Sequence, residues 1–275
     1  MDKEMIIEVL TSGDEEFIEY RGEADEIRER NHSNIVTYSR NIFLPVTTLC
    51  RNRCSYCGFR QAEEDAVIMD QKTVEGALEE GLMWGCKEAL FTFGEKPDVY
   101  GKMRRFLKEG GYSSFSSYLF KLCELAIEKG LLPHTNAGVL SREEMAVLKE
   151  VNVSMGLMLE SASDRLCGKG LPHEHSPGKT PELRLEMIED AGRLKIPFTT
   201  GILIGIGETD EEIAESLVAL KKIHGRYGHL QELIIQNFVP KPGTPMENWP
   251  TPSVEKMMRV VVASRLLFND LNIQA

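Results

Sequence analysis

The chain has 275 residues, 42% of them hydrophobic and 27% charged, with a formal net charge of -11. That length supports one large core-bearing domain, and no apolar run approaches the roughly twenty residues that a membrane-spanning helix requires. The acidic balance opposes a nucleic-acid partner, because phosphate binding is driven by clustered Lys and Arg, and six cysteines without a secretory signal fit a reducing, cytoplasmic setting.

Residues 1–40 are charged and helix-prone, with acidic runs at Asp14-Glu15-Glu16 and Glu23-Ala24-Asp25-Glu26, and read as a solvated helical extension ahead of a core spanning residues 41–275. The core opens on the apolar run Asn41 to Val46, followed at once by three cysteines, Cys50, Cys54 and Cys57. Further runs at Glu88 to Phe93, Leu132 to Ala137, Val153 to Leu159, Phe198 to Ile206 and Glu232 to Val239 bring the expected strands to six. Between them, Tyr100 to Lys129 holds two helices broken near Gly110-Gly111, and Ser141 with Glu144 makes a capping box. Thr180 before Pro181 reads as an N-cap, Thr209 with Glu212 as a second capping box, and Ser253 to Asn269 as a last helix. Strand-helix alternation predicts a parallel sheet with helices outside it. Polar or glycine-rich ends follow most of the runs: Gly94-Glu95, Asn136, Glu160, Gly205 to Glu208 and Gln236-Asn237. In a barrel all these ends converge on one mouth, which favours a barrel of the (β/α)6 kind over an open doubly wound layer.

The cysteine loop carries the chemistry. Iron-sulfur cubanes are held by cysteine thiolates, normally four; three on one loop leave one iron open, as catalytic metal sites keep a position free. A structural zinc site would want a fourth Cys or His at ligand spacing, and the next histidine downstream, His134, is far away. Cys86, Cys123 and Cys167 are isolated and read as small buried apolar residues. Arg51, Arg53 and Arg60 form a local basic patch suited to an anionic ligand or an electron donor.

The Cys-x3-Cys-x2-Cys loop with Tyr56 before the last cysteine resembles the radical S-adenosylmethionine (SAM) superfamily, and Gly94-Glu95, Glu160 and Gly201 to Glu208 fit the same pattern. Longer strings are similar to the subunit 1 family of 7,8-didemethyl-8-hydroxy-5-deazariboflavin synthase: Val36 to Asn41, Cys50 to Arg60, Phe91 to Asp98, Pro133 to Gly138, Ile196 to Glu208, Gln236-Asn237-Phe238 and Lys241 to Thr244. The family continues past Asn272-Ile273-Gln274 into further strand and helix, so a partial barrel lacking its C-terminal strands is expected.

The resemblance implies a 4Fe-4S cluster on Cys50, Cys54 and Cys57, with SAM on the open iron near Tyr56, Glu95, Glu160, Arg184 and Gly205. It implies a hydroxybenzyl-ribityl-uracil adduct as substrate, held by Asn136, Gln236 and Asn237, made by a partner subunit 2 and processed with an electron donor. Hydrogen abstraction, ring closure and ammonia loss would give the deazaflavin. No motif singles out a proton-transfer residue; His134, His173 and His175 are the histidines nearest the expected mouth. A sister radical enzyme similar to biotin synthase or the hydrogenase maturase barrel, and a non-enzymatic iron-sulfur electron carrier, share the loop. The Thr135 to Gly138 and Gln236-Asn237 strings argue for the deazaflavin family.

Overall fold

Every one of the six apolar runs becomes a strand, and all pair in parallel in chain order. A computed structural model describes residues 2–33 and 35–275; Met1 and Asn34, both inside the expected extension, lie outside the described residues. The strands are β1 (Asn41–Leu44), β2 (Glu88–Thr92), β3 (Leu132–Asn136), β4 (Ser154–Gly156), β5 (Phe198–Ile204), β6 (Leu230–Asn237) and β7 (Asn272–Gln274). The helices are α1 (Asp2–Thr11), α2 (Asp14–His32), α3 (Gln71–Met83), α4 (Gly101–Glu109), α5 (Phe115–Glu128), α6 (Arg142–Leu148), α7 (Pro181–Arg193), α8 (Asp210–Tyr227) and α9 (Val254–Leu267). β1 and β7 are the two sheet edges, so the sheet is an incomplete barrel.

Two strands differ from expectation. β7 adds a seventh strand, pairing Asn272 with Glu232 and Gln274 with Ile234; three residues are too few to show a periodicity. β4 stops at Gly156 rather than running on to Leu159, and the chain rejoins β5 only through an isolated bridge between Glu160 and Ile202.

The pleat separates core from lumen, because successive side chains point to opposite faces. Ile42, Leu44, Ala89, Phe91, Met155, Leu233 and Ile235 face the helices; six of the seven are fully or almost fully buried, and Ile42 abuts Gly81 of α3. The extension is less solvated than its charge suggests. Ile6, Val9 and Leu10 of α1 are buried, and Arg259 of α9 lies 4.4 Å from the Phe17 ring centroid of α2 while donating to the Val9 carbonyl at 3.1 Å.

Three of the four expected helix starts are capped by side chains. Ser141 and Thr209 both form reciprocal boxes, and Ser253 accepts the Lys256 N–H; Thr180 makes no cap bond, and α7 starts on Pro181 alone. Glu212 does more than close its box, since it also accepts from Ser163 Oγ at 2.5 Å and Arg165 Nε at 2.8 Å. The Arg165 hydrogen bonds are the main reason its carboxyl is held at about 2. A group with a depressed folded value stabilises the fold above its unfolded value, about 4.3, and loses that contribution as pH falls toward 2. Glu212→Gln is expected to cost about 1 kcal/mol at pH 7, with the gap to the parent closing near pH 2 to 3 in thermal unfolding followed by circular dichroism.

Candidate functional site

The cysteine loop lies between β1 and α3, at the carboxyl end of β1, and all three thiols are half-buried. Its backbone is held from three directions. Arg51 N–H donates to the Glu95 carbonyl (2.9 Å), Arg53 N–H to His175 (3.0 Å) and Ser55 N–H to Pro172 (2.9 Å), while Ser55 C=O accepts from Met246 (3.2 Å). Asn52, 4% exposed, accepts the Gly178 N–H on its side chain at 2.8 Å. Two sulfurs accept hydrogen bonds: Cys50 from the Glu95 N–H at 3.2 Å and Cys54 from the Ser176 hydroxyl at 3.3 Å. Among the described residues no three His, Cys, Asp or Glu side chains converge on a single ion.

Gly94 is bare because the loop passes against it: a Cβ there would lie 1.9 Å from the Leu49 carbonyl oxygen. Backbone cannot yield as a flexible side chain does. Gly94→Ala is therefore expected to displace the loop and cut reconstituted iron content severalfold, read by iron assay.

Two carboxylates flank the loop. Glu95, 3% exposed, accepts from Arg51 Nε (2.7 Å), the Val139 N–H (3.0 Å) and an Arg184 terminal nitrogen (3.5 Å). Burial pushes its carboxyl up, but Arg184, Val139 and Arg51 together bring it below the usual range. Gly178 and Gly138 leave room for it, since a Cβ at Gly178 would overlap its Oε1. Arg184, also 3% exposed, donates to the carbonyls of Gly178 and Met158 as well as to Glu95. Each terminal nitrogen spends one N–H on the chain and keeps a second, so Arg184 is tied in place beside Glu95 with donors left over.

Glu160 is different. It stands at φ +65° just past β4, 7% exposed, with Oε1 paired to Lys179 Nζ at 2.5 Å and Oε2 buried with no partner. Burial raises its carboxyl, and Lys179 foremost, then Arg184, lowers it below the usual range. A buried carboxylate oxygen without a protein donor is free to accept from a ligand or a water.

Tyr56 OH lies 2.9 Å from His173 Nε2, and its ring packs on a small cluster of Leu166, Leu203, Ile206, Phe238 and Met246. Burial, then the Lys179 charge, holds the His173 ring at about 4, so it is neutral. Gly205 adopts φ +97°, and Glu208 fixes the turn by accepting the N–H groups of Gly205 (2.6 Å) and Ile206 (2.9 Å). His175 is exposed, its side chain 68% accessible.

The register gives one inner row of Phe43, Leu90, His134 and Ser154, with Thr92 and Asn136 above it. Across the lumen, Thr199, Gly201 and Leu203 pair with Glu232, Ile234 and Gln236. Barrel interiors are usually packed with branched aliphatic side chains; here His134, Ser154, Thr92, Asn136, Thr199 and Gly201 stand among Phe43, Leu90, Leu203 and Ile234, so the inner wall is mixed polar and apolar. His134 therefore lies inside the lumen, not at the mouth, its Nδ1 2.7 Å from Ser154 Oγ and its ring held at about 4 by burial. Asn136 and Gln236 share the inner face, while the pleat puts Asn237, the last residue of β6, on the other.

Cys167 is not the buried core residue expected: it lines a cavity of about 430 Å³ with Arg53, His173, Ser176 and Thr180, beside the cysteine loop. Cys86 and Cys123 are buried as expected. The sequence offers no signal for Lys179 or Ser176, whose importance arises only when residues 171–179 fold over the cysteines.

Residues 44–220 match the Radical SAM superfamily. The chain is 54% identical over 239 residues to 7,8-didemethyl-8-hydroxy-5-deazariboflavin synthase of Methanothermobacter thermautotrophicus, covering 87% of the chain and 73% of the relative. It is 52% identical over 240 residues to the synthase of the same name from Methanocaldococcus jannaschii, covering 87% of the chain and 66% of the relative. Among solved structures, methylornithine synthase matches with a TM-score of 0.75 at 20% identity, over 99% of the chain and 74% of that structure. The hydrogenase maturase HydG matches with a TM-score of 0.80 at 18% identity, over 99% and 62%. These two likenesses speak for the fold.

Proposed function

Since the chain belongs to the radical SAM superfamily and, within it, to the family of 7,8-didemethyl-8-hydroxy-5-deazariboflavin synthases, we propose that it closes the ring of that deazaflavin. The substrate in this reading is the 4-hydroxybenzyl adduct of a ribityl-aminouracil, and ammonia is lost, so the reaction is a lyase step. The observation that carries it is the pairing of a half-buried three-thiol loop with the orphaned Oε2 of Glu160 at the same mouth.

The residues fit the implied groups. Cys50, Cys54 and Cys57 would hold a 4Fe-4S cluster whose fourth iron takes SAM. When bound, this pair supplies reductive cleavage of the sulfonium and a carbon-centred radical that removes a substrate hydrogen atom. Glu160 offers Oε2 to a ribose hydroxyl or ammonium of SAM, and Lys179 keeps that carboxylate charged. Gly205, without a side chain, and Tyr56 shape the wall where adenine would lie. Glu95 orders the loop by fixing Arg51 and Arg184. Asn136, His134 and Gln236 present uncharged hydrogen-bonding groups to a uracil edge and ribityl hydroxyls in the lumen; Asn237 would reach it only from the rim. A partner subunit 2 supplies the adduct, an electron donor reduces the cluster, and the setting is the cytoplasm.

The other readings fare worse. Both relatives described, at 54% and 52% identity, carry the deazaflavin synthase name, and a plain electron carrier has no use for hydrogen-bonding groups such as His134, Asn136 and Gln236 on the inner wall. Anaerobic incubation with the adduct, dithionite and SAM should yield 5'-deoxyadenosine and a fluorescent deazaflavin, separated by chromatography. Deoxyadenosine without the fluorescent product would overturn the substrate assignment, and neither product with a loaded cluster would overturn the reaction.

A further inference from the structure

We propose that Ser176 is a positioning residue that sets the reduction potential of the cluster, through its hydrogen bond to the Cys54 sulfur. This rests on the cluster reading above. Ser176 is 2% exposed, and its hydroxyl has one partner, Cys54 Sγ at 3.3 Å. Its backbone is pinned on both sides: its N–H donates to His173 at 2.9 Å and its carbonyl accepts from Lys179 at 2.8 Å. The segment is in turn stitched to the cysteine loop by the Arg53 to His175 and Gly178 to Asn52 bonds. The Ser176 backbone is thus held beside the sulfur by contacts that do not depend on the hydroxyl's own bond.

The Tyr56 phenol also reaches the Cys54 sulfur, and shares its hydroxyl with His173 Nε2 at 2.9 Å. The Glu95 N–H on Cys50 is a backbone group that no substitution removes. Ser176 differs in that its hydroxyl has the Cys54 sulfur alone as partner, so it varies the sulfur environment without disturbing a second contact. A donor on a thiolate sulfur draws electron density away from iron and favours the cluster carrying one more electron, so it raises the potential. No bond is made or broken; the electron comes from the donor that reduces the cluster. The hydroxyl makes the cluster easier to reduce and a weaker reductant of what it holds.

The test uses reconstituted wild type, Ser176→Ala and Ser176→Thr, with iron content and a redox titration followed by electron paramagnetic resonance. The alanine variant is expected to bind iron as the wild type does, with the reduced-to-oxidised ratio at the wild-type midpoint lowered about threefold or more, a shift of about 30 mV at 59 mV per decade. The threonine variant, which keeps the hydroxyl, should titrate with the wild type. An alanine variant with full iron and an unchanged potential overturns the inference; so does an alanine variant that loses iron, since the hydroxyl would then serve assembly. Failure of the wild type itself to bind a cluster would instead sink the cluster reading.

Discussion

A Cys54→Ala variant folds, retains little or no iron-sulfur cluster and forms neither 5'-deoxyadenosine nor the fluorescent product. Two thiolates are too few to keep a cubane that normally takes four ligands. The fold survives because Cys54 is half-buried and lends no packing the core depends on; the change is expected within about 1 kcal/mol of wild type in chemical unfolding. Iron and sulfide assays on the anaerobically reconstituted protein, beside its electron paramagnetic resonance spectrum with and without SAM, check this. Cys86→Ala is the control: Cys86 is buried, 8% exposed, away from the loop, and its variant should load normally. A Cys54→Ala protein whose signal still responds to SAM would refute the ligand assignment.

Glu160→Gln is expected to weaken SAM binding about 100-fold, since a charge-assisted hydrogen bond to a ligand is worth about 1.5–3 kcal/mol. The substitution also strips Lys179, 12% exposed on its side chain, of its counter-ion, and breaking a buried pair from one side is costly in itself. The two effects separate in a double variant. Glu160→Gln with Lys179→Met removes both charges, so stability should return toward wild type while SAM affinity stays low. Anaerobic calorimetry on loaded protein gives the affinity and thermal unfolding the stability. An affinity within about threefold of wild type in the single variant would remove Glu160 from the ligand site.

Most of the barrel could be read from the chain because parallel strands buried on their helix faces leave long apolar runs, and because Ser141 and Thr209 write their helix starts three residues ahead of Glu144 and Glu212. What escaped was short or conditional. β7 has too few residues for a pattern, β4 is cut short where Glu160 takes its left-handed backbone, and α1 hides Ile6, Val9 and Leu10 among acids. At the site, the cysteine spacing and the carboxylates at strand ends were legible since each is a local string. The tie between Arg184 and Glu95 was not legible, because the two are 89 residues apart in sequence. Lys179 and Ser176 sit in a loop without regular structure, where only the folded path decides what a side chain meets.

The stitching of residues 171–178 onto the cysteine loop also orders events during synthesis. Cys54 and Ser176 are 122 residues apart, so a ribosome that has just released the three cysteines has made only the first strand of the seat. The loop gains its second wall when β4 and the segment up to Lys179 have emerged and closed over it. The seat is therefore finished only late in translation, and whatever the three thiols hold is best received by chain that is already made and folded.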